Sequence, residues 1–211
     1  MSVGRTGCDE LLFVFAGGGH LDDALDRHGT VEGQSRDSHQ VASGSALLVL
    51  AGESATLAAG PDGLHAVRAS VGNGVDLHAP MGQRERVVSV DEVEPGKATG
   101  SRSFQVLFGP HNGSTRATMF VGYIPPGSAP WHYHLYEEIV WVWRGAGRYH
   151  VAAGAEDFAD GSAFHLAPRE VHIVENSSSD RELAVVGIFT PAGSPSAAYL
   201  MPDVAASYAI G

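Results

Sequence analysis

Apolar residues come in short runs along this chain: "ELLFVFA", "SALLVLA", "HAVRASV", "ERVVSV", "SFQVLFG", "ATMFVGYI", "EEIVWVW", "GRYHVAA", "SAFHLA", "VHIVE" and "ELAVVGIFT". Gly, Pro, Asn or Asp stands in nearly every gap between them. Runs of this length, rich in β-branched and aromatic residues and bounded by turn formers, predict strands. Helical periodicity is confined to "LDDALDRH" (Leu21 to His28) and to the tail after Ser194. The pattern predicts an all-β protein with few short helices, built as a barrel or a sandwich.

Several of these runs repeat. "ELLFVFAG" (Glu10 to Gly17) matches "EIVWVWRG" (Glu138 to Gly145) at an offset of 128 positions. "GSALLVLAGESATL" (Gly44 to Leu57) matches "GSAFHLAPREVHIV" (Gly161 to Val174) at 117, an offset that also carries "LHAVRASV" onto "RELAVVGI". One insertion in the first copy, "DDALDRHGTVEGQSRDSH", explains the difference. The chain is therefore expected to hold two related β modules: residues 1–73, a linker over 74–86, and residues 87–211. Met1 aligns with Ala129, so the strands that open the second copy have no counterpart in the first.

Composition narrows the partners. The net charge of −11 argues against nucleic acid and anionic membrane surfaces, both of which select basic faces. A single cysteine, Cys8, excludes an intramolecular disulfide and fits a reducing cytoplasm. "LLFVFA" is too short to cross a bilayer or to form a signal-peptide core. A cytoplasmic protein is expected.

The stretch "PWHYHLYEEIVWVWRG" carries the chemistry. Alternation along a strand puts His132 and His134 on one face, and Glu138 keeps that parity four residues on. Two imidazoles and a carboxylate are costly to bury together unless a divalent cation takes them as ligands. His172, after the Pro168 turn in "APREVHIVEN", is a fourth candidate.

These residues resemble the cupins, whose first motif runs Gly, His-x-His, three or four residues, Glu, six residues, Gly. Gly127, His132, His134, Glu138 and Gly145 fit it, with Gly127 one residue closer to the first histidine than usual. The second motif is represented by Gly161, Pro168, His172 and Asn176, with Glu170 or its neighbour in place of the motif glycine. The resemblance implies two jelly-roll β-barrels in one chain, a bicupin, packed as an intrachain pseudo-dimer; a homodimer of the whole chain is compatible with it. It implies one divalent metal ion on His132, His134, Glu138 and His172. Fe(II) is favoured, with Zn, Ni, Mn or Cu as alternatives. In the first module the matching positions are Gly4, Thr6, Glu10 and Ala55, so that barrel is expected to be degenerate and metal-free.

Tyr136, His150 and His165 are candidates for the pocket around the metal, with a solvated strand face the favoured reading of the two histidines. Val140, Val142, Phe164 and Ile173 are expected to line it, with Arg148 and Arg169 the nearest cations. Trp141 and Trp143 lie on the face opposite Glu138 and read as core between two sheets or as a barrel-to-barrel interface. Tyr133 reads as packing, Glu137 as solvated and Cys8 as inert. Three imidazoles and a carboxylate leave open positions on an octahedral ion, as a catalytic site requires. The first expectation is a non-haem Fe(II) oxygenase or dioxygenase acting on a small organic, aromatic or polyketide-like substrate. The alternatives are a redox-neutral isomerase, cyclase or lyase using Zn, Ni or Mn as Lewis acid, and a barrel that binds a small ligand without turnover.

Overall fold

The computed structural model describes residues 1–23, 38–72, 78–98 and 100–200. The first half supplies β1 (Ser2–Val3), β2 (Asp9–Asp23), β3 (Ser38–Ala42), β4 (Ser45–Val49), β5 (Ala55–Val71) and β6 (Val87–Ser89). The second supplies β7 (Gly96–Lys97), β8 (Ser103–Phe108), β9 (Thr118–Ile124), β10 (Gly127–Ser128), β11 (His132–His134) and β12 (Glu137–Arg144). It continues with β13 (Gly147–Val151), β14 (Gly154–Phe158), β15 (Ala163–Leu166), β16 (His172–Asn176), β17 (Leu183–Thr190) and β18 (Ala198–Leu200). Among the described residues the helical segments are two short 3-10 turns, Val90–Glu92 and Pro110–Asn112. None is long and apolar enough to cross a membrane.

The first half is one antiparallel sheet, β1-β5-β2-β4-β6, with β3 paired to β2. Its ladder slips between Val14 and Ala16 and again between Gly17 and Gly19. Bulges sharpen strand twist and bend the sheet. At Gly17 (φ +72°) a Cβ would sit 2.2 Å from the carbonyl oxygen of Gly63, so only glycine allows the two long strands to cross this closely. The bend folds the sheet over: Leu12, Val14, Leu47 and Val49 cluster with Leu21, Val41, Ala55 and Leu57.

The second half forms two antiparallel sheets, β15-β12-β17-β9-β8-β7 and β14-β13-β16-β11-β18, with β10 on β16. They enclose a common core, as the two sheets of a jelly roll do. Ile124, Val140, Val142, Leu166, Leu183 and Val185 of one sheet meet Phe158 and Val174 of the other.

The sequence repeat appears as ladder register. Leu12 pairs with Leu47 as Val140 pairs with Phe164, so offsets of 128 and 117 superimpose β2/β4 on β12/β15 pair for pair. The third block is shifted from the sequence alignment. Leu12 also pairs with Arg68, and Val140 with Gly187, which sets β5 on β17 at an offset of 119. A turn two residues longer before β17 accounts for the shift. Similarly Val3, rather than Gly4, pairs with Ala55 as His132 pairs with His172.

The halves meet through Leu11, Phe13, Ala46 and Leu48 on one side and Leu107, Phe108, Met119 and Val121 on the other. Trp141 and Trp143 join this interface as expected: Phe13 lies 4.9 Å from Trp143 and Phe15 lies 5.0 Å from Trp141, centroid to centroid. Phe13 is the repeat equivalent of Trp141, and Phe15 of Trp143. The two contacts are thus reciprocal, as across a twofold axis.

Three expectations are corrected. Leu21 to Asp23, assigned to a helix, extend β2, because their pairing with β5 continues to Asp23 and Ala55; residues 24–28 lie outside the described residues. The start of the tail, Ala198 to Leu200, is a strand against β11 rather than a helix. Val87 to Ser89, taken as the opening of the second module, pair with β4 and complete the first sheet.

Candidate metal centre

The hydrogen-bond register brings the four expected ligands to one end of the jelly roll. His132 pairs directly with His172 across β11 and β16, and Glu138 opens β12 on the inward side that continues with Val140 and Val142. All four side chains are buried. Tyr133, between the two histidines, points the other way and stacks on Tyr199 at 5.3 Å. The rings of His132 and His172 are 4.4 Å apart, those of His134 and His172 4.9 Å, and those of His132 and His134 6.3 Å. Space for the carboxylate depends on Gly187, where a Cβ would lie 2.7 Å from Glu138 Oε1.

Backbone carbonyls set the polarity of all three imidazoles. His132 Nδ1 lies 2.9 Å from Pro130 O, His134 Nδ1 3.2 Å from Tyr136 O, and His172 Nδ1 2.8 Å from Glu170 O. A carbonyl only accepts, so each Nδ1 carries a proton, and in the neutral ring Nε2 keeps its lone pair. Burial lowers the pKa of His132 to about 3 and that of His172 to about 4, so both are neutral at physiological pH. His134 Nε2 is buried without a hydrogen-bond donor or acceptor. It stands 3.1 Å from Glu138 Oε2. That spacing suits an ion pair if His134 is doubly protonated; in the neutral ring, with the one proton on Nδ1, lone pairs of nitrogen and carboxylate face each other. A cation between them removes the conflict, and three imidazole nitrogens with one carboxylate suit a first-row divalent ion. As the side chains stand among the described residues, no three are drawn in tightly enough to hold an ion at once.

The surroundings hold these rings in place. The ring of Tyr136 is stacked between His134, at 4.2 Å, and Phe189, at 4.0 Å. Burial raises the Tyr136 hydroxyl pKa, with Glu138 adding to the effect. Arg169 takes φ +67°, the left-handed conformation that glycine adopts readily and other residues rarely. It occupies the turn where the sequence departs from the motif, and its N–H donates to His134 O at 2.7 Å. A non-glycine residue thus takes the left-handed conformation at this turn. Asn176 is structural, its amide donating to Ile124 O and Arg181 O.

The four side chains line a cavity of about 460 Å3 together with Tyr136, Val140, Phe104, Phe120 and Tyr123. Of the residues expected in the lining, Val140 and Tyr136 are present. Val142 lies in the core, and Phe164 packs on Tyr149 instead. Ile173 is also absent from the lining. His150 and His165 are on outer faces, His150 bonded to Glu175 at 2.6 Å and His165 to Glu137 at 3.0 Å. Arg148 is also outside, paired with Asp157. The cations that do line the cavity are Lys97 and Arg102, from β7 and the turn into β8. Sequence reasoning missed them because they lie some thirty residues before the histidine motif; the available signal was "GKATGSRS", two cations flanking a glycine turn.

In the first half, the position of Glu138 is held by Glu10, which is fully buried. Arg68 pairs with its carboxylate, Ser70 Oγ donates to it at 3.0 Å, and Arg5 Nε lies 3.6 Å away. Burial alone would raise the Glu10 pKa, but these donors and charges outweigh it and hold the carboxyl below its usual range.

Comparison with known proteins agrees with this architecture. Residues 119–189 match the family described as "Cupin domain". A search among curated proteins finds no match. Among solved structures, a mutant of Bacillus subtilis oxalate decarboxylase aligns with 99% of this chain and 72% of its own at 14% identity and TM-score 0.73. Lactobacillus farciminis oxalate decarboxylase in a formate complex aligns over 96% and 75%, at 12% identity and TM-score 0.74. The vicilin of hazelnut, Corylus avellana, aligns over 90% and 72%, at 12% identity and TM-score 0.65. At such identities the likeness is one of fold. Residues 119–189 thus match a cupin domain, and the whole chain shares the fold of these structures.

Proposed function

We propose that this chain is a metal-dependent enzyme in which His132, His134, Glu138 and His172 hold one divalent ion and a small organic substrate is converted in the adjoining cavity. The observation that carries the reading is the common polarity of the three imidazoles, each with Nδ1 on a backbone carbonyl. When bound, such an ion supplies Lewis-acid polarisation and, if redox-active, oxygen activation. The chain's own part is to orient the ligands, through those carbonyls and the Tyr136 stack, and to exclude water with Phe104, Phe120 and Leu166. On this reading the first half is a degenerate cupin barrel, its cation site taken over by Arg68, and it serves the second as the missing subunit of a dimer.

An oxygen-dependent reaction on Fe(II) or Mn(II) is the first choice of chemistry. Beyond the four proposed ligands, the described lining offers no carboxylate and no imidazole to shuttle protons. Redox-neutral chemistry is the second, favoured by the fold likeness to oxalate decarboxylases, for one of which Mn(II) centres are described. There Lys97 or Tyr123 would supply the proton. The test is turnover of a panel of small organic acids, oxalate included, by metal-free protein refilled with Fe(II), Mn(II) or Zn(II), with and without oxygen. Turnover that requires oxygen and a redox-active ion supports the first choice. Undiminished anaerobic turnover by the Zn(II) form replaces it with the second. No turnover with any ion contradicts the enzyme reading.

A further inference from the structure

We infer that the open edge of β5, residues 64–71, and the groove beside it bind a second copy of this chain, whose own β5 pairs antiparallel with it across a twofold axis. The first-half sheets of the two copies then run on as one sheet through the dimer. The inference goes beyond the metal reading and does not depend on it.

Three observations carry it. The first is an edge that one half covers and the other leaves open. In the second half, β17 pairs with β12 on one side and with β9 on the other, from Leu183 to Phe189. Its equivalent in the first half, β5 from Leu64 to Val71, pairs with β2 on one side. On the other side β1 reaches Ala55 and Thr56, and the Leu57 N–H donates to Met1 O. Beyond that, no strand among the described residues pairs with it. A row of open N–H and C=O groups is a template for a further strand. Proline and lysine, which blunt natural edges, are absent from "LHAVRASV", and its one arginine is paired with Glu10.

The second is the groove along that edge, about 610 Å3, with Val67 and Val71 on the β5 side and Ile139, Trp141, Val186 and Ile188 on the other. All but Ile139 also belong to the core between the halves or pack against it, so the groove continues that interface outward. In the ladder registers, Leu11, Ala46 and Leu48 correspond to Ile139, Ala163 and His165. The first three are fully buried, in the cluster that holds Met119 and Val121 of β9. Ile139 is 50% exposed, and Ala163 and His165 are exposed with it. The groove is therefore where a strand equivalent to β9 belongs, and such a strand would cover Ile139.

The third is which strand fits. Every other strand at the margin of a described sheet has five residues or fewer, and β14 carries Glu156 and Asp157. The open part of β5 is the longer edge, and alternation puts Val67, Ala69 and Val71 on one face of it. A twofold axis sets such a strand antiparallel to its own copy and needs no further segment. No acid lies within residues 64–71, so two copies of a chain with net charge −11 meet there without opposed carboxylates.

The experiment is sedimentation equilibrium of the full chain, with amide hydrogen exchange followed over a range of concentrations. It compares the wild type with Ile139→Glu and with Met81→Glu, a control at another exposed apolar side chain. The wild type is expected to sediment at twice the mass of one chain at micromolar concentrations and to dissociate on dilution, with exchange at residues 64–71 slowing as the dimer forms. Ile139→Glu should weaken the dimer at least about tenfold, the scale of a carboxylate buried without a partner, and should abolish that slowing. Met81→Glu should do neither. Because Ile139 is half-exposed in the single chain, the urea midpoint of the dilute monomer should not change, which separates lost pairing from lost folding. A wild type that stays monomeric, or a dimer that Ile139→Glu leaves intact, overturns the proposal. Slow exchange at residues 64–71 that is independent of concentration would put another segment of the same chain on the edge, and overturns it too.

Discussion

Arg68 pairs with Glu10 from the ladder position that Gly187 occupies beside Glu138. Both halves bury a glutamate at the head of the same strand, and both need a positive charge there. The first half has built its cation into the chain, on β5. The second leaves that position empty of side chain and sets His134 3.1 Å from the carboxylate, with His132 and His172 ring to ring beside it. One ladder, with the arginine exchanged for glycine and three other positions for histidines, thus gives an internal ion pair in one half and a candidate ion site in the other.

Breaking that ion pair should be asymmetric. Arg68→Met leaves Glu10 charged and fully buried, at a cost of about 3–5 kcal/mol. Glu10→Gln leaves Arg68, which has a route to water, and costs about 1–2 kcal/mol. Because the Glu10 pKa is lowered in the folded protein, its contribution is full above the ordinary glutamate range and is lost as pH falls through the lowered value. The Glu10→Gln penalty measured by urea unfolding should therefore shrink in acid. Equal losses for the two variants, or a penalty that grows in acid, would contradict this account.

Gly187→Ala should damage the second site without touching a proposed ligand. The new methyl would lie 2.3 Å from the Phe120 ring and 2.7 Å from Glu138 Oε1, so one of them must move. Bound Mn(II) after dialysis is expected to fall at least about tenfold, the scale of disturbed groups around a metal ligand. Mn(II) content at the wild-type level would show that Glu138 does not need its present position.

Tyr136 should act through its ring rather than its hydroxyl. Tyr136→Phe keeps the stack on His134 and Phe189 and should leave metal affinity within about twofold; Tyr136→Leu removes it and should weaken affinity about tenfold. A large loss in Tyr136→Phe would make the hydroxyl the active part.

The reciprocal aromatic contacts should couple alike. A double-mutant cycle on Phe13 and Trp143, and another on Phe15 and Trp141, are each expected to give about 0.5–1.5 kcal/mol of coupling. Coupling in one cycle and none in the other would contradict the twofold relation between the halves.

Much of this was legible in the sequence, because strand alternation and turn residues are local. The parity that joins His132, His134 and Glu138 also sends Trp141 and Trp143 outward. What escaped depends on long-range pairing. The two-residue shift that aligns Arg68 with Gly187 arises in a turn, and similar apolar strands align nearly as well in either register. The swap of Val87 to Ser89 onto β4 leaves no trace in its own sequence. Lys97 and Arg102 reach the cavity through the order of strands in the sheet, which periodicity does not encode. His150 and His165 lie on the solvated strand faces that are the favoured reading for them, not in the pocket that is the other.

The central claim is tested most directly by metal stoichiometry. Full-length protein is refilled with Mn(II), dialysed and measured by elemental analysis, alongside His134→Ala, His172→Ala, Glu138→Gln, Glu10→Gln and His165→Ala. The account predicts one ion per chain in the wild type, Glu10→Gln and His165→Ala, and close to none in the other three. Full metal content in His134→Ala or His172→Ala, or a loss in Glu10→Gln as large as in Glu138→Gln, would contradict it.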